Sequence, residues 1–260
     1  MAKSSLFKNI KSATVAMALY NHDDQQKPFT ILGTGFCIHP RGIIVSCEHV
    51  FSAFMQKPVQ EHIADIPKEL ENKKFIPTDS GISIPHAVFF DTQYSKHKMR
   101  AIPAPMDIAT IKADYDIGMM RIQPSIAFPK GFPSLAIEEF DQIYEGMEIA
   151  TCGFPLGNYL NNQIGTITSS FTKGILSSII PMHGCEIEHL SGFQLDITAT
   201  HGNSGGPVFN LENGKVFGVL QRGVLDQQDE ILPGIVKAEP VYPLIGRDLL
   251  EHILTDPSGI

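Results

Sequence analysis

Short apolar segments, rich in Val, Ile, Phe and Thr and separated by Gly, Pro or Asn, recur along most of the chain. This pattern is typical of strands in an all-β barrel or sandwich. Helical segments do not alternate with them, so a parallel sheet is not indicated. The predicted strands are Thr14 to Leu19, Gly35 to Ile38, Ile43 to Ser46, Ile117 to Ile122, Glu148 to Cys152, Gly165 to Phe171, Phe193 to Ile197, Pro207 to Phe209 and Lys215 to Leu220.

The last apolar segment has a helical period. Its apolar positions are separated by charged residues and are Leu244, Ile245, Leu249, Leu250 and Ile253. We therefore expect a C-terminal helix over residues 243–256 that packs on the strands.

The stretch from Gln56 to Pro105 departs from the compact pattern. It combines charge runs such as Lys68 to Lys74 with several prolines and one strand-like patch, Ala87 to Phe90. We interpret this stretch as an enlarged surface excursion, which is either a solvated loop or a contact for substrate or a partner.

Composition narrows the class of function. Of the 260 residues, 43 % are hydrophobic, which can fill a sizeable core, and the formal net charge is −8. Nucleic-acid binding depends on clustered Lys and Arg, so nucleic acid is not expected as a partner. No apolar run approaches the roughly 20 residues that span a bilayer, so no membrane association is expected. The run from Ala13 to Tyr20 imitates a targeting signal, but a first strand explains it better.

The four cysteines are too few for a disulfide scaffold and contain no CxxC pair; they are Cys37, Cys47, Cys152 and Cys185. This usage fits a reducing compartment, so we expect a cytoplasmic rather than a periplasmic or secreted protein. A turn at residues 39–42 would place Cys37 opposite Ile44, which argues against a bridge between Cys37 and Cys47.

The segment from Thr200 to Phe209 carries the most informative chemistry. Ser204 lies at the apex of a turn bracketed by glycines. Such a turn exposes the hydroxyl and aims successive backbone N–H groups at one point, as an oxyanion hole requires. Ser204 is therefore a candidate nucleophile, although such a sequence can also be a plain turn between strands.

A serine nucleophile needs a base and a carboxylate that orients the base. His49 ends a predicted hairpin that would hold it rigidly at a barrel rim, and Asp116 lies directly before the predicted strand Ile117 to Ile122. His49 and Asp116 are therefore the candidate base and acid.

Together these blocks resemble the trypsin-like serine proteases, specifically the bacterial HtrA/Deg branch. They occur in the chain order His, Asp, Ser. The motifs are Gly33-Thr34-Gly35-Phe36, Ser46-x-x-His49-Val50, Asp116-Ile117-Gly118-Met119-Met120-Arg121-Ile122 and Gly202-Asn203-Ser204-Gly205-Gly206-Pro207.

The resemblance implies an all-β fold of two six-stranded antiparallel β-barrels within one peptidase domain over 1–260. The N-terminal barrel would cover 13–125, with the insertion at 56–105, and would supply His49 and Asp116. The C-terminal barrel would cover 135–242 and supply Ser204, and the C-terminal helix would follow.

The resemblance also implies roles for individual residues. His49, Asp116 and Ser204 would form the catalytic triad. The oxyanion hole would be the loop of Gly202, Asn203 and Ser204, with the Gly202 and Ser204 N–H groups as donors. The substrate-binding residues would be Thr198, Ala199, Leu220, Gln221, Arg222 and Gly223. Thr198 near the pocket floor implies cleavage after small or medium apolar residues, whereas Asp196 nearby would favour Lys or Arg.

Some positions depart from the family pattern. Glu48 replaces a small residue, and Thr200-His201 replaces the Asn-Pro common in the HtrA branch. HtrA proteins usually carry a PDZ domain after the protease, and we expect a branch without one. Secreted members have Asp before the nucleophile, which must pair with a newly cut N-terminus. Asn203 stands there in this chain, so we expect no proteolytic activation.

The sequence thus predicts a serine endopeptidase that acts on polypeptides and needs neither metal nor cofactor. Control would come from loop ordering around Gly153 to Ser170 or from an activating protein partner. One alternative is a catalytically silent protein that keeps the trypsin fold for binding or as a scaffold. Another is a zinc-dependent structural module at His183, Cys185 and His189.

Overall fold

The computed structural model describes residues 3–21, 29–54, 76–78, 81–95, 98–112, 115–155, 167–225 and 231–244. Within these residues there are two α-helices, α1 (Lys3–Ala13) and α2 (Glu48–Ala53), and thirteen strands. The strands are β1 (Thr14–Asn21), β2 (Phe29–His39), β3 (Ile43–Cys47), β4 (Ile76–Thr78), β5 (Gly81–Ser95), β6 (Lys98–Lys112), β7 (Ile117–Ile122), β8 (Glu148–Gly153), β9 (Ser170–Ile180), β10 (Gly192–Asp196), β11 (Pro207–Asn210), β12 (Val216–Leu225) and β13 (Ile231–Pro240). Single 3₁₀ turns lie at Phe140–Gln142, Ile187–His189 and Tyr242–Leu244.

The first seven strands form one antiparallel sheet that closes on itself. Neighbours pair in the order β1-β2-β3-β7-β6-β5-β4, and β1 also pairs with β5. Ala16, for example, lies opposite Thr34 on β2 and opposite Val88 on β5. The second pairing joins six strands into a ring and leaves β4 as a short addition to β5. Buried side chains from six of these strands share one core, including Phe36, Ile44, Phe89 and Met119.

The remaining six strands form a closed antiparallel barrel in the order β10-β13-β12-β11-β8-β9. Phe193 and Phe217 meet edge to face in its core, with ring centroids 5.1 Å apart. Leu195, Val208 and Leu220 are fully buried around them. The predicted all-β fold of two six-stranded antiparallel barrels is therefore confirmed.

Residues 81–95 and 98–105 are not part of a surface excursion, so that interpretation of Gln56 to Pro105 is corrected for them. They form β5 and the first part of β6, and the side chains from Pro85 to Phe90 are buried. Val88 lies opposite Pro103. The prolines and charges of this hairpin conceal its strand pattern in the sequence. Residues 55–75 lie outside the described residues, and their role stays a prediction.

Helix α1 precedes the first barrel and was not expected from the sequence. Leu6 and Ile10, four positions apart, are buried on one face, while Lys8 and Asn9 are exposed. The Thr14 hydroxyl donates to the Ile10 carbonyl at 2.8 Å, where the helix passes into β1. The apolar run after the lysines is thus the first barrel strand, as predicted.

The predicted helix over 243–256 lies almost wholly outside the described residues and stays a prediction. The described chain ends in the 3₁₀ turn Tyr242–Leu244. Among the described helices, none is long and apolar enough to cross a membrane.

The register of the β2–β3 hairpin agrees with the sequence. Cys37 lies opposite Ile44, as predicted, and all four cysteines are free thiols.

Candidate active site

His49 and Asp116 are brought together by the pairing of β3 with β7. Cys47, the last residue of β3, lies opposite Ile117, the first residue of β7. The residues that flank this pair therefore meet. The Glu48 N–H donates to the Asp116 carbonyl oxygen at 3.0 Å, which ties the start of α2 to the turn before β7. Asp116 has a φ of 36°, in the left-handed region that few residues other than glycine adopt.

The Asp116 carboxylate holds His49 by both its backbone and its ring. The His49 N–H donates to Oδ1 at 3.0 Å, and the ring Nδ1 lies 2.9 Å from Oδ2 and 3.1 Å from Oδ1. A carboxylate at this nitrogen fixes the tautomer with the proton on Nδ1, which leaves Nε2 as the acceptor.

The pKa of Asp116 is set by opposing effects. Partial burial is the largest single effect and raises it. The hydrogen bonds from the His49 ring, the His49 backbone and the Gln221 side chain together outweigh burial, so the pKa of Asp116 is lowered from its ordinary value of 3.8. The group is therefore a stable carboxylate at neutral pH, as a residue that orients an imidazole must be.

Ser204 lies in a tight turn that the sequence predicted. The Asn203 N–H donates to the Thr200 carbonyl at 3.1 Å, and the Gly206 N–H donates to the Asn203 carbonyl at 3.0 Å. Gly205 has a φ of 86°, and a Cβ there would overlap the Thr34 carbonyl oxygen, so only glycine fits.

Two backbone donors of this turn have no partner among the described residues. The Asn203 N–H is used within the turn. In the described part of the chain, no hydrogen bond is found for the N–H groups of Gly202 and Ser204. These are the two groups that the resemblance assigns to the oxyanion hole.

Thr34 of the first barrel anchors the turn of the second. Its N–H donates to the Ser204 carbonyl at 2.9 Å. Its hydroxyl donates to the Gly202 carbonyl at 2.5 Å and accepts the Phe154 N–H at 3.0 Å. Thr34 is fully buried, and these bonds link the two barrels directly beside Ser204.

Gln221 connects Ser204 to Asp116. Its Nε2 donates to Asp116 Oδ2 at 2.8 Å, and its backbone carbonyl accepts the Ser204 hydroxyl at 2.6 Å. The hydroxyl thus points at the Gln221 carbonyl and not at the His49 ring in this structure. The sequence pattern assigned Gln221 to substrate binding, and its side-chain contact with Asp116 emerges only from the fold.

The chain matches the model of the trypsin-like peptidase domain over residues 33–219, which include His49, Asp116 and Ser204. This match covers more than half of the sequence. The chain belongs to the trypsin-like peptidase family.

This peptidase also has relatives in the HtrA branch, as the sequence predicted. It is 28 % identical over 144 residues to Protease Do-like 2, chloroplastic, of Arabidopsis thaliana; the match covers 55 % of this chain and 20 % of that protein. A solved structure of the HtrA-type protease AlgW with a tripeptide superposes with a TM-score of 0.60 at 14 % identity, covering 98 % of this chain and 64 % of the other. The peptidase thus spans less than two thirds of the length of each of these proteins.

The other predicted substrate-binding residues lie on both sides of Ser204. Thr198 is exposed and Ala199 is half-buried in the segment that leads into the nucleophile turn, whereas Leu220 is buried on β12. Arg222 and Gly223 follow on the same strand, and their side chains lie outside the described residues.

The zinc-module hypothesis gains no support. His183 and His189 are exposed in the loop between β9 and β10, and His189 contacts Glu186 at 3.8 Å. In the residues that the structure describes, the one group of three metal-ligating side chains within reach of a single ion is elsewhere, at Cys47, His49 and Asp116.

Proposed function

We propose that the peptidase is a serine endopeptidase in which Ser204 is the nucleophile, His49 the general base and Asp116 the residue that orients the base. The observation that carries this proposal is the continuous set of contacts from the His49 ring through Asp116 and Gln221 to the Ser204 hydroxyl.

The first step is a rotation of the Ser204 hydroxyl from the Gln221 carbonyl towards His49 Nε2. His49 then takes the hydroxyl proton while Ser204 Oγ attacks the peptide carbonyl carbon. The Gly202 and Ser204 N–H groups stabilise the oxyanion of the tetrahedral intermediate. His49 returns the proton to the leaving amine, and an activated water hydrolyses the acyl-enzyme.

The substrate in this proposal is a polypeptide that adds an extended strand beside β12. The pocket near Thr198 accepts a small or medium apolar side chain such as Val, Ala or Leu. A peptide-library profile dominated by Lys and Arg would instead assign the specificity to Asp196.

Regulation and location complete the proposal. In this proposal the oxyanion donors are controlled by the segment around Gly153 to Ser170, of which residues 156–166 lie outside the described residues, or by an activating protein partner. The four free thiols support a reducing compartment such as the cytoplasm.

Labelling with a fluorophosphonate probe tests the proposed nucleophile, because the probe requires an activated serine. We expect the wild type to be labelled and Ser204→Ala to be unlabelled. His49→Ala should lose nearly all labelling and Asp116→Asn somewhat less, with small residual hydrolysis from the oxyanion hole.

Circular dichroism of each variant would show that the fold is kept. Labelling of Ser204→Ala at the wild-type rate would identify another nucleophile. An unlabelled but folded wild type that retains peptide binding would favour the alternative, a catalytically silent trypsin-fold protein.

A further inference from the structure

Cys47 is a buried thiol beside the proposed triad, and the proposed reaction does not use it. It ends β3, two residues before His49, and its side chain is fully buried. Its Sγ lies 3.2 Å from the Leu220 carbonyl oxygen. The pairing of Cys47 with Ile117 brings the thiol next to Asp116.

The donor set around Cys47 matches the preference of a thiophilic divalent cation. One sulfur of Cys47, one ring nitrogen of His49 and one carboxylate oxygen of Asp116 all lie within 4.8 Å of one another. Zinc binds Cys, His and Asp in tetrahedral sites, in which neighbouring donor atoms are roughly 3.4–3.6 Å apart. A movement of about 1 Å would therefore suffice, and the His49 side chain, which is 45 % exposed, has room to make it.

The surrounding charges also favour a cation. The carboxylates of Asp116, Glu239 and Glu48 act electrostatically on the Cys47 thiol. Glu239 is buried and pairs with Lys237, whose Nζ lies 2.7 Å from Oε1. A divalent cation at the thiol would neutralise the excess negative charge that a bare thiolate cannot tolerate.

We infer that Cys47, His49 and Asp116 bind Zn²⁺ or a similar thiophilic divalent cation, and that the bound ion inhibits hydrolysis. The thiol proton passes to solvent as the Zn–S bond forms. The Nδ1 proton of His49 moves through solvent to Nε2, and the freed Nδ1 coordinates the ion. The ring then cannot accept the Ser204 proton, and removal of the metal restores the original tautomer.

The binding half of this inference is independent of the proposed function, whereas the inhibition rests on it. Binding is therefore measured first, by titrating the purified chain with CoCl₂ and ZnCl₂. We expect one Co²⁺ per chain, a thiolate-to-metal charge-transfer band and the visible spectrum of a tetrahedral site, all displaced by Zn²⁺. Ser204→Ala should bind equally well, since Ser204 is not a ligand.

Variants of two cysteines identify the sulfur ligand. Cys47→Ala should lose the charge-transfer band and weaken Zn²⁺ binding by roughly tenfold or more. Cys185→Ala, which removes a more accessible thiol in the loop between β9 and β10, should bind as the wild type does. Cys47→Ser serves as a second variant that keeps a hydroxyl next to the Leu220 carbonyl if the alanine variant does not fold.

Activity gives an independent readout. Zn²⁺ should suppress fluorophosphonate labelling of the wild type reversibly, with recovery on addition of EDTA, and Cys47→Ala should be labelled in the presence of Zn²⁺. The inference is wrong if the sulfur band persists in Cys47→Ala or if Zn²⁺ binds only at weak sites that this substitution does not change. If the wild type is never labelled, the proposed function fails, and the cobalt spectrum still decides the metal site.

Discussion

Gln221 is the residue whose two contacts join the parts of the proposed triad. Its side-chain amide supports the acid, and its carbonyl holds the nucleophile in the resting structure. An extended substrate whose backbone N–H binds the same carbonyl would displace the hydroxyl. Substrate binding would then free Ser204 to turn towards His49. The Ser204 hydroxyl would therefore align with His49 only when substrate is bound.

Replacing Gln221 with Met removes the amide donor at nearly constant side-chain length. We expect kcat/KM to fall roughly 10- to 100-fold, because a hydrogen bond to a charged group contributes about 1.5–3 kcal/mol. The loss should appear in kcat, since the backbone carbonyl that contacts substrate is unchanged. Gln194→Met, a substitution at another half-buried glutamine of the second barrel, is the matched control and should leave kcat within twofold, roughly, of the wild type.

The pH dependence of stability tests the same contact. The pKa of Asp116 in the folded chain is below its ordinary value of 3.8, so the carboxylate stabilises the fold above that pH and loses this effect as the pH falls through the lowered pKa. Gln221→Met should therefore lower the free energy of unfolding by about 1.5–3 kcal/mol at pH 7. The difference should shrink below about pH 4; a difference that is constant down to pH 2 would show that Asp116 does not cause it.

Thr34 on β2 holds the turn that carries Ser204 in the opposite barrel. Thr34→Val keeps the shape but leaves the Gly202 carbonyl and the Phe154 N–H without their partner. We expect the free energy of unfolding, measured with urea, to fall by about 2 kcal/mol, since an unsatisfied buried group costs about 1–3 kcal/mol. Fluorophosphonate labelling should slow as the Gly202 N–H loses its fixed direction.

Thr151 provides the matched control for Thr34. Its Oγ1 is buried and has no hydrogen-bond partner among the described residues. Thr151→Val should therefore leave stability unchanged or raise it slightly. Equal losses in the two variants would show that the bonds of Thr34 contribute nothing specific.

Strands made of apolar residues could be predicted from the sequence, whereas elements that contain prolines or charged residues were harder to recognise. β3 was found because Ile43–Cys47 is buried at every position. β5 was recognised only at the patch Ala87 to Phe90, and β6 was missed, because prolines and charged residues occur along them. β9 was placed too early, since it runs over Ser170–Ile180 rather than Gly165 to Phe171. Helix α1 was not predicted because lysines surround the apolar pair Leu6 and Ile10 and obscure its helical spacing.

The site was only partly accessible to sequence reasoning. The order of the motifs identified His49, Asp116 and Ser204 as candidate catalytic residues, and the structure places His49 in contact with Asp116. The side-chain contact of Gln221 and the approach of Cys47 depend on strand register and on packing between barrels. Neither feature leaves a local pattern in the sequence.

Helix α1 contacts both barrels. Leu6 and Ile10 share a core cluster with Phe36 and Phe89 of the first barrel. Phe7 meets Phe171 of β9 with ring centroids 4.8 Å apart. Leu6 lies against the turn between β11 and β12, where a Cβ at Gly214 would be 3.2 Å from Leu6 Cγ. Helix α1 is thus a structural brace, which conflicts with the role of a removable activation segment.

The final prediction is that the intact chain is labelled by a fluorophosphonate and that trimming before Ala13 does not activate it. Asn203 carries no charge for a new N-terminus to neutralise, whereas trimming removes the buried Leu6 and Ile10, each of which contributes about 2–5 kcal/mol when truncated to Ala. The trimmed form should therefore have a lower Tm and no faster labelling. Leu6→Ala in the untrimmed chain should lower the Tm but keep the labelling, which separates lost packing from the cut itself. Labelling confined to the trimmed form, with N-termini confirmed by mass spectrometry, would show that N-terminal processing controls the site.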